Sequence, residues 1–300
     1  MDATPPRGTL RALVSALRPK QWVKNGLIII APAAAGRLTH LDVARHTLAA
    51  FVAFCLLSSG IYLVNDLRDA PADRQHPTKR HRAIAAHQLS PSLAIGVALA
   101  LFIGAFSVPA LLWRPGGLYL VLVLYLAISL SYSFGVKNLA IFELAAVASG
   151  FFLRAYSGAA ASHLYVSTWF LVVISFGALF LVVGKRSSEL QRVGVGSTRL
   201  VLGEYTPAFL RSALTLCATV VVTGYCLWAF DTSATGLSSV RHFTVPIRLS
   251  VIPVVLAILF IMRAAEAGNA QAPDELLYSD RTIQVLGAVW FALMVYGVYG

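Results

Sequence analysis

Long apolar runs alternate with short polar connections along most of the chain. Runs of bilayer-crossing length, about 20 residues less the slack that packed helices allow, occur at roughly 22 to 36, 44 to 64, 91 to 112, 116 to 134, 138 to 158, 166 to 184, 207 to 230, 246 to 263 and 281 to 299. They predict nine transmembrane helices, the first of them short and interrupted by Pro32. The longest hydrophilic connections, 65 to 90, 185 to 206, 231 to 245 and 264 to 280, are too short to fold alone. Residues 1–300 therefore read as a single transmembrane domain, with residues 1–21 a basic, amphipathic segment on the cytoplasmic surface.

Composition supports an all-α integral membrane protein. Of the 300 residues, 58% are hydrophobic and 12% charged, where soluble domains carry about 25% charged residues. Arg7, Arg11, Arg18, Lys20 and Lys24 precede the first run with no small-residue cleavage site behind it, so no cleavable leader is expected. Most of the 24 Lys and Arg fall on the amino-terminal tail and on connections of the same side, which predicts a multi-pass plasma-membrane protein with its amino terminus in the cytosol. The net charge of +11 does not call for nucleic acid, because the basic residues hug the membrane ends instead of forming a free arm. Membrane lipids with anionic headgroups, or an anionic substrate at the interface, account for it. Cys55, Cys217 and Cys226 sit inside apolar runs without ligand spacing and read as small packing residues.

Acid is scarce, with 13 Asp and Glu in the whole chain, yet Asn65, Asp66, Asp69 and Asp73 cluster where the second run ends. On a continuing helix positions 66, 69 and 73 fall within an arc of roughly 60°, about 4 to 10 Å apart along the axis. Carboxylates that close repel unless cations lie between them. Mg²⁺ carrying a phosphorylated ligand fits, since it takes a few carboxylates and lets substrate phosphates complete its shell. The plainer alternative is a solvated helix end with capping aspartates.

Other polar groups flank this cluster. Arg68 lies within it, and Lys79, Arg80 and Arg82 follow in a basic loop suited to direct contacts with phosphate oxygens or, more simply, to lipid headgroups. Lys185, Glu189 and Arg192 share a helix face where the sixth run ends, with Arg186 beside them. They form either a surface ion-pair ladder or a phosphate-binding surface. Tyr132 and Lys137 flank the turn after the fourth run, and Glu143 follows one helical turn inside the fifth. Arg154 lies on the face of Glu143 about 16 Å deeper; an ionisable group at that depth is either functional or snorkels to the outer surface. Lys20 and Lys24 stand one turn apart around Trp22, placed either to anchor the segment or to reach a polar pocket. His76, His81 and His87 lack ligand spacing.

The Asn65-Asp66-x-x-Asp69-x-x-x-Asp73 pattern at the end of the second of nine spans resembles the first aspartate-rich motif of UbiA-type intramembrane prenyltransferases. In most of that family a second aspartate-rich motif ends the sixth span; here the position reads Gly184-Lys185-Arg186-Ser-Ser-Glu189. With this departure the chain is similar to the decaprenyl-phosphate phosphoribosyltransferase branch of the family. The matching stretches are Arg18 to Asn25, Asn65 to Arg82, Tyr132 to Lys137, Glu143 to Arg154 and Ser175 to Glu189. The resemblance implies 5-phosphoribosyl 1-diphosphate as donor, a long polyprenyl (decaprenyl) phosphate as acceptor and a place in arabinan precursor synthesis. It also implies Mg²⁺ on Asp66, Asp69 and Asp73, basic residues on the phosphates, and Glu143 or Glu189 easing positive character at the ribose C1. Two readings stay open beside it: transfer of a polyprenyl group to an aromatic or other small acceptor, and a non-enzymatic carrier of anionic lipid. Small-residue faces at Ser149-Gly150 and Ser157-Gly-Ala-Ala160 suit self-association, which leaves a homo-oligomer as an expectation.

Overall fold

A computed structural model describes residues 8–111, 117–193, 200–230, 244–267 and 280–300. Arg7, most of the connections 231 to 245 and 264 to 280, and the side chain of Arg192 lie outside the described residues. Every regular element among them is helical. In chain order they are α1 (Thr9–Leu17), α2 (Ile30–Ala34), α3 (Leu41–Gln75), α4 (Pro91–Ser107), α5 (Leu118–Phe134), α6 (Phe142–Ser162), α7 (Thr168–Val193), α8 (Pro207–Phe230), α9 (Thr244–Leu249), α10 (Val251–Glu266) and α11 (Arg281–Tyr299). A 3₁₀ helix over Pro19–Ile29 joins α1 to α2.

Seven helices are long and apolar enough to cross a bilayer: α3, α4 with its 3₁₀ extension, α6, α7, α8, α9 continued by α10, and α11. The protein is thus a multi-pass membrane protein. The predicted fourth span is the 17-residue α5, roughly 26 Å long by helical rise. The predicted first span, 22 to 36, is a 3₁₀ helix followed by one short α-helical turn. Large side chains such as Leu99, Ile103, Leu120, Leu259 and Phe291 are exposed, as lipid-facing residues are. The longest helix, α3, spans 35 residues, about 50 Å against a hydrocarbon core of roughly 30 Å, so one end must project beyond the apolar layer. Its carboxyl-terminal end carries Asn65 to Asp73, placing the aspartates at a membrane surface.

α6 is the axis of the bundle, packing against α2, α3, α5, α7 and the 3₁₀ helix. Leu144 and Ala148 join a core with α7, α8 and α10, while Leu153, Ala160 and Ala161 join one with α3, α4 and α5. The stripe Ser157 to Ala161 is buried inside the chain, which corrects its reading as a self-association face. A Cβ on Gly158 would lie 2.2 Å from the carbonyl oxygen of Ile28, so only glycine lets the 3₁₀ helix approach α6 this closely.

Candidate active site

The aspartates sit on the last turns of α3, and the helix continues through them as the spacing predicts. Asp66 and Asp73 are buried, and Asp69 is half-buried. Each is held by cations. Arg18 donates to Asp66 at 2.5 Å, while one nitrogen of Arg82, Nη1, donates to Asp66 at 3.2 Å and to Asp73 at 2.8 Å. Lys137 pairs with Asp69, whose other oxygen accepts from Asn65 Nδ2 at 3.1 Å.

Arg18 was not among the residues singled out from sequence, and it owes its place to backbone. A residue before proline is kept out of the right-handed helical region. Arg18 adopts φ 53° and ψ 57°, ending α1 and turning the chain into the 3₁₀ helix that begins at Pro19. Its guanidinium then lies 4.8 Å from the centre of the Tyr62 ring, against Asp66. The signals in the sequence were the Arg18-Pro19 pair and the resemblance carried by the stretch Arg18 to Asn25.

The second constellation forms around Arg186, on the cytosol-directed extension predicted for the sixth span. Its Nε and Nη2 both donate to Glu143 at 2.6 Å, and its Nη1 donates to Glu189 at 2.8 Å. Glu143 is 1% exposed and Arg186 is 3% exposed. The sequence suggested two cations steadied by one carboxylate; the structure has one arginine between two carboxylates. A buried carboxylate and guanidinium satisfy each other here, where either alone would be strongly destabilising. Lys185, half-buried on the next helical position, has no ionic or hydrogen-bond partner among the described residues.

A single turn joins the two constellations. Between α5 and α6, Lys137 reaches Asp69 on one side and Glu143 reaches Arg186 on the other. Tyr132 is half-buried near the carboxyl-terminal end of α5. Arg68 donates to the carbonyl of Phe134 at 3.1 Å and stacks over its ring, so it supports this turn and does not point at the aspartates. The turn itself is buttressed from the α7–α8 connection, where the buried Tyr205 accepts a hydrogen bond from the Ile141 N–H. Burial pushes the Tyr205 phenol above its ordinary range, only partly offset by that bond, so it stays neutral at physiological pH.

Other sequence candidates lie further out. Arg80 is exposed and contacts His81, Lys79 is half-buried, and Lys20 is exposed while Lys24 is half-buried on the 3₁₀ helix. Arg154 does not snorkel. It is buried and donates to Asn25 Oδ1 at 2.9 Å, to the Gly150 carbonyl at 3.0 Å and to the Tyr125 hydroxyl. It lies over the Tyr125 and Phe151 rings and ties the 3₁₀ helix to α5 and α6 below the site. The three cysteines are free thiols, and Cys55 accepts from Asn25 Nδ2.

Among the described residues, no three His, Cys, Asp or Glu side chains converge as a ready metal cage. A divalent ion nevertheless fits Asp66 and Asp73. The two carboxylates bracket one positive charge, the Arg82 Nη1 that both accept from. Mg²⁺ ordinarily takes only one or two carboxylates plus substrate phosphates.

The chain is similar to known proteins both in sequence and in fold. The chain is 41% identical to the decaprenyl-phosphate phosphoribosyltransferase of Corynebacterium glutamicum, over 98% of its own length and 89% of that protein. It is also 41% identical to the enzyme of the same name from Mycobacterium tuberculosis, over 96% and 94%. Its fold matches a UbiA homologue from Archaeoglobus fulgidus bound to GPP and Mg²⁺, with a TM-score of 0.65 at 16% identity, covering 95% of this chain and 98% of that one. The model of the UbiA prenyltransferase family matches residues 26–279, which include both constellations apart from Arg18, and the chain belongs to that family.

Proposed function

We propose that the protein transfers the 5-phosphoribosyl group of 5-phosphoribosyl 1-diphosphate to a long polyprenyl phosphate, decaprenyl phosphate by the names of its relatives, releasing diphosphate. The observation that carries this reading is the pairing, across a single turn, of the α3 aspartates with a site built on a buried arginine. Asp66, Asp69 and Asp73 stand on one side, and Arg186 stands where an ordinary prenyl-diphosphate enzyme of the family would need a second acidic site. Two anionic substrates ask for this arrangement.

In the reaction, an oxygen of the lipid phosphate forms a bond to the ribose C1 as the bond from C1 to the diphosphate oxygen breaks, its electron pair leaving with diphosphate. Asp66 and Asp73, with Asp69 beside them on the helix, would hold Mg²⁺, which when bound would neutralise the charge that grows on that leaving group. Arg18 and Arg82, already on the same carboxylates, are the cations nearest the departing diphosphate. Arg186 spends three of its five N–H donors on Glu143 and Glu189. Two remain for a phosphate oxygen. The lipid phosphate is ionised near neutral pH, so no general base is needed. Catalysis rests on positioning and on preorganised charge. The site faces the cytosol, α5 and the 19–34 segment complete nine membrane passes, and the polyprenyl tail lies between helices open to lipid. The lipid product would serve arabinan precursor synthesis at the plasma membrane.

The test is turnover of the purified protein in nanodiscs with 5-phosphoribosyl 1-diphosphate and a polyprenyl phosphate, with and without EDTA. Mg²⁺-dependent formation of a phosphoribosylated lipid and diphosphate is expected. Absence of product, with transfer instead from a polyprenyl diphosphate to an aromatic acceptor, would overturn the assignment.

A further inference from the structure

Immediately before α6 the backbone does something isoleucine rarely allows. Ile141 adopts φ 66° and ψ −49°, and the Phe142 N–H donates to the Ala140 carbonyl at 2.7 Å. Together these make a three-residue γ-turn with a positive central φ, a strained form. For a β-branched side chain a positive φ is a genuine outlier. Such a conformation persists only where its surroundings over-determine it.

The surroundings here are Tyr205. Its hydroxyl accepts from the Ile141 N–H at 2.8 Å, a bond between residues 64 positions apart. Its ring is 5% exposed and stacks on Phe209 at 5.8 Å between centroids and 6° between planes. Immediately after the γ-turn comes Glu143, whose two oxygens hold Arg186. The turn therefore sets where the carboxylate stands, and the carboxylate sets where the guanidinium stands.

We propose that Tyr205 is a positioning residue: by holding Ile141 in the γ-turn it fixes Glu143, and through it Arg186, in the geometry that receives a phosphate. This rests on the reading of Glu143 and Arg186 as part of the substrate site. Tyr205 acts through its hydrogen bond to the backbone N–H of residue 141.

That claim has a specific genetic signature. Tyr205→Phe keeps the ring stack and removes only the acceptor oxygen. It is expected to lower kcat roughly tenfold, a part of the roughly 100-fold that a misplacement of about 1 Å can cost. Glycine adopts positive φ without strain, so Ile141→Gly alone should turn over within about twofold of wild type, and the double variant should regain most of the loss. Full-length variants in nanodiscs would be compared by kcat, by KM for donor and acceptor, and by melting temperature, with Glu143→Gln assayed in parallel. Rescue of kcat in the double variant supports the proposal. A double variant as slow as Tyr205→Phe, or Tyr205→Phe at the wild-type rate while Glu143→Gln is slow, overturns it and leaves the Arg186 site standing. Glu143→Gln at the wild-type rate would instead remove the Arg186 site from the reaction, and the positioning role with it.

Discussion

Asp66 and Asp69 lie three residues apart on one helix, yet their environments call for different responses to the same change. Asp69 is 25% exposed and meets one lysine. Asp69→Asn is expected to cut turnover by about 100-fold or more while leaving the melting temperature nearly unchanged, in line with the loss of a preorganised charge. Asp66 is 4% exposed and holds two arginines. Asp66→Asn should lose turnover and also stability, because removing one partner of a buried ion pair leaves charge uncompensated. Melting curves beside phosphoribosyl-lipid formation would separate the two. Arg186→Met strands the Glu143 carboxylate at 1% exposure, and a destabilisation on the order of 3–5 kcal/mol is expected. These distinctions were not legible in the sequence. That one helix carries all three aspartates was predicted correctly, whereas which arginine meets which aspartate depends on residues 48 and 16 positions away.

The 3₁₀ helix over Pro19–Ile29 carries most of the burden of joining the site to the bundle. An eleven-residue 3₁₀ segment is unusually long. It is pinned at Asn25 by Arg154 and at Trp22 by Ser59, and Gly158 of α6 gives it room. Gly158→Val would push the segment away, with Arg18 at its head, and so loosen Asp66 from a distance. The expected result is overpacking of about 1–3 kcal/mol, read as a lowered melting temperature. Turnover should fall further than that loss of stability explains. The apolar run at 22 to 36 predicted a spanning helix, but apolarity reports burial and not helical pitch. The tight approach to α6 decides the pitch.

For the molecule as a unit, charge is balanced within the protein itself. Arg18, Arg82 and Lys137 already neutralise the three aspartates. Chelation should therefore abolish turnover reversibly, with activity restored by added Mg²⁺ and little change in the apo melting temperature. A protein that melted sharply on EDTA treatment would mean that the metal holds the fold as well as the site. Around that centre the bundle hides its small residues and shows its large ones. Buried alanines and Gly158 line α6, while Leu99, Ile103 and Phe291 face outward.

Membrane character, most helix positions and the acidic and basic candidates for the site follow from local composition and periodicity alone, because the bilayer obliges every crossing segment to satisfy its own backbone. The pairing of those groups does not. Arg18 reaches Asp66 through a left-handed backbone before Pro19, Glu143 meets Arg186 across 43 residues, and Tyr205 holds Ile141 across 64. Long-range contacts and strained backbone carry no periodic signal, since each exists only once the helices that impose it have packed.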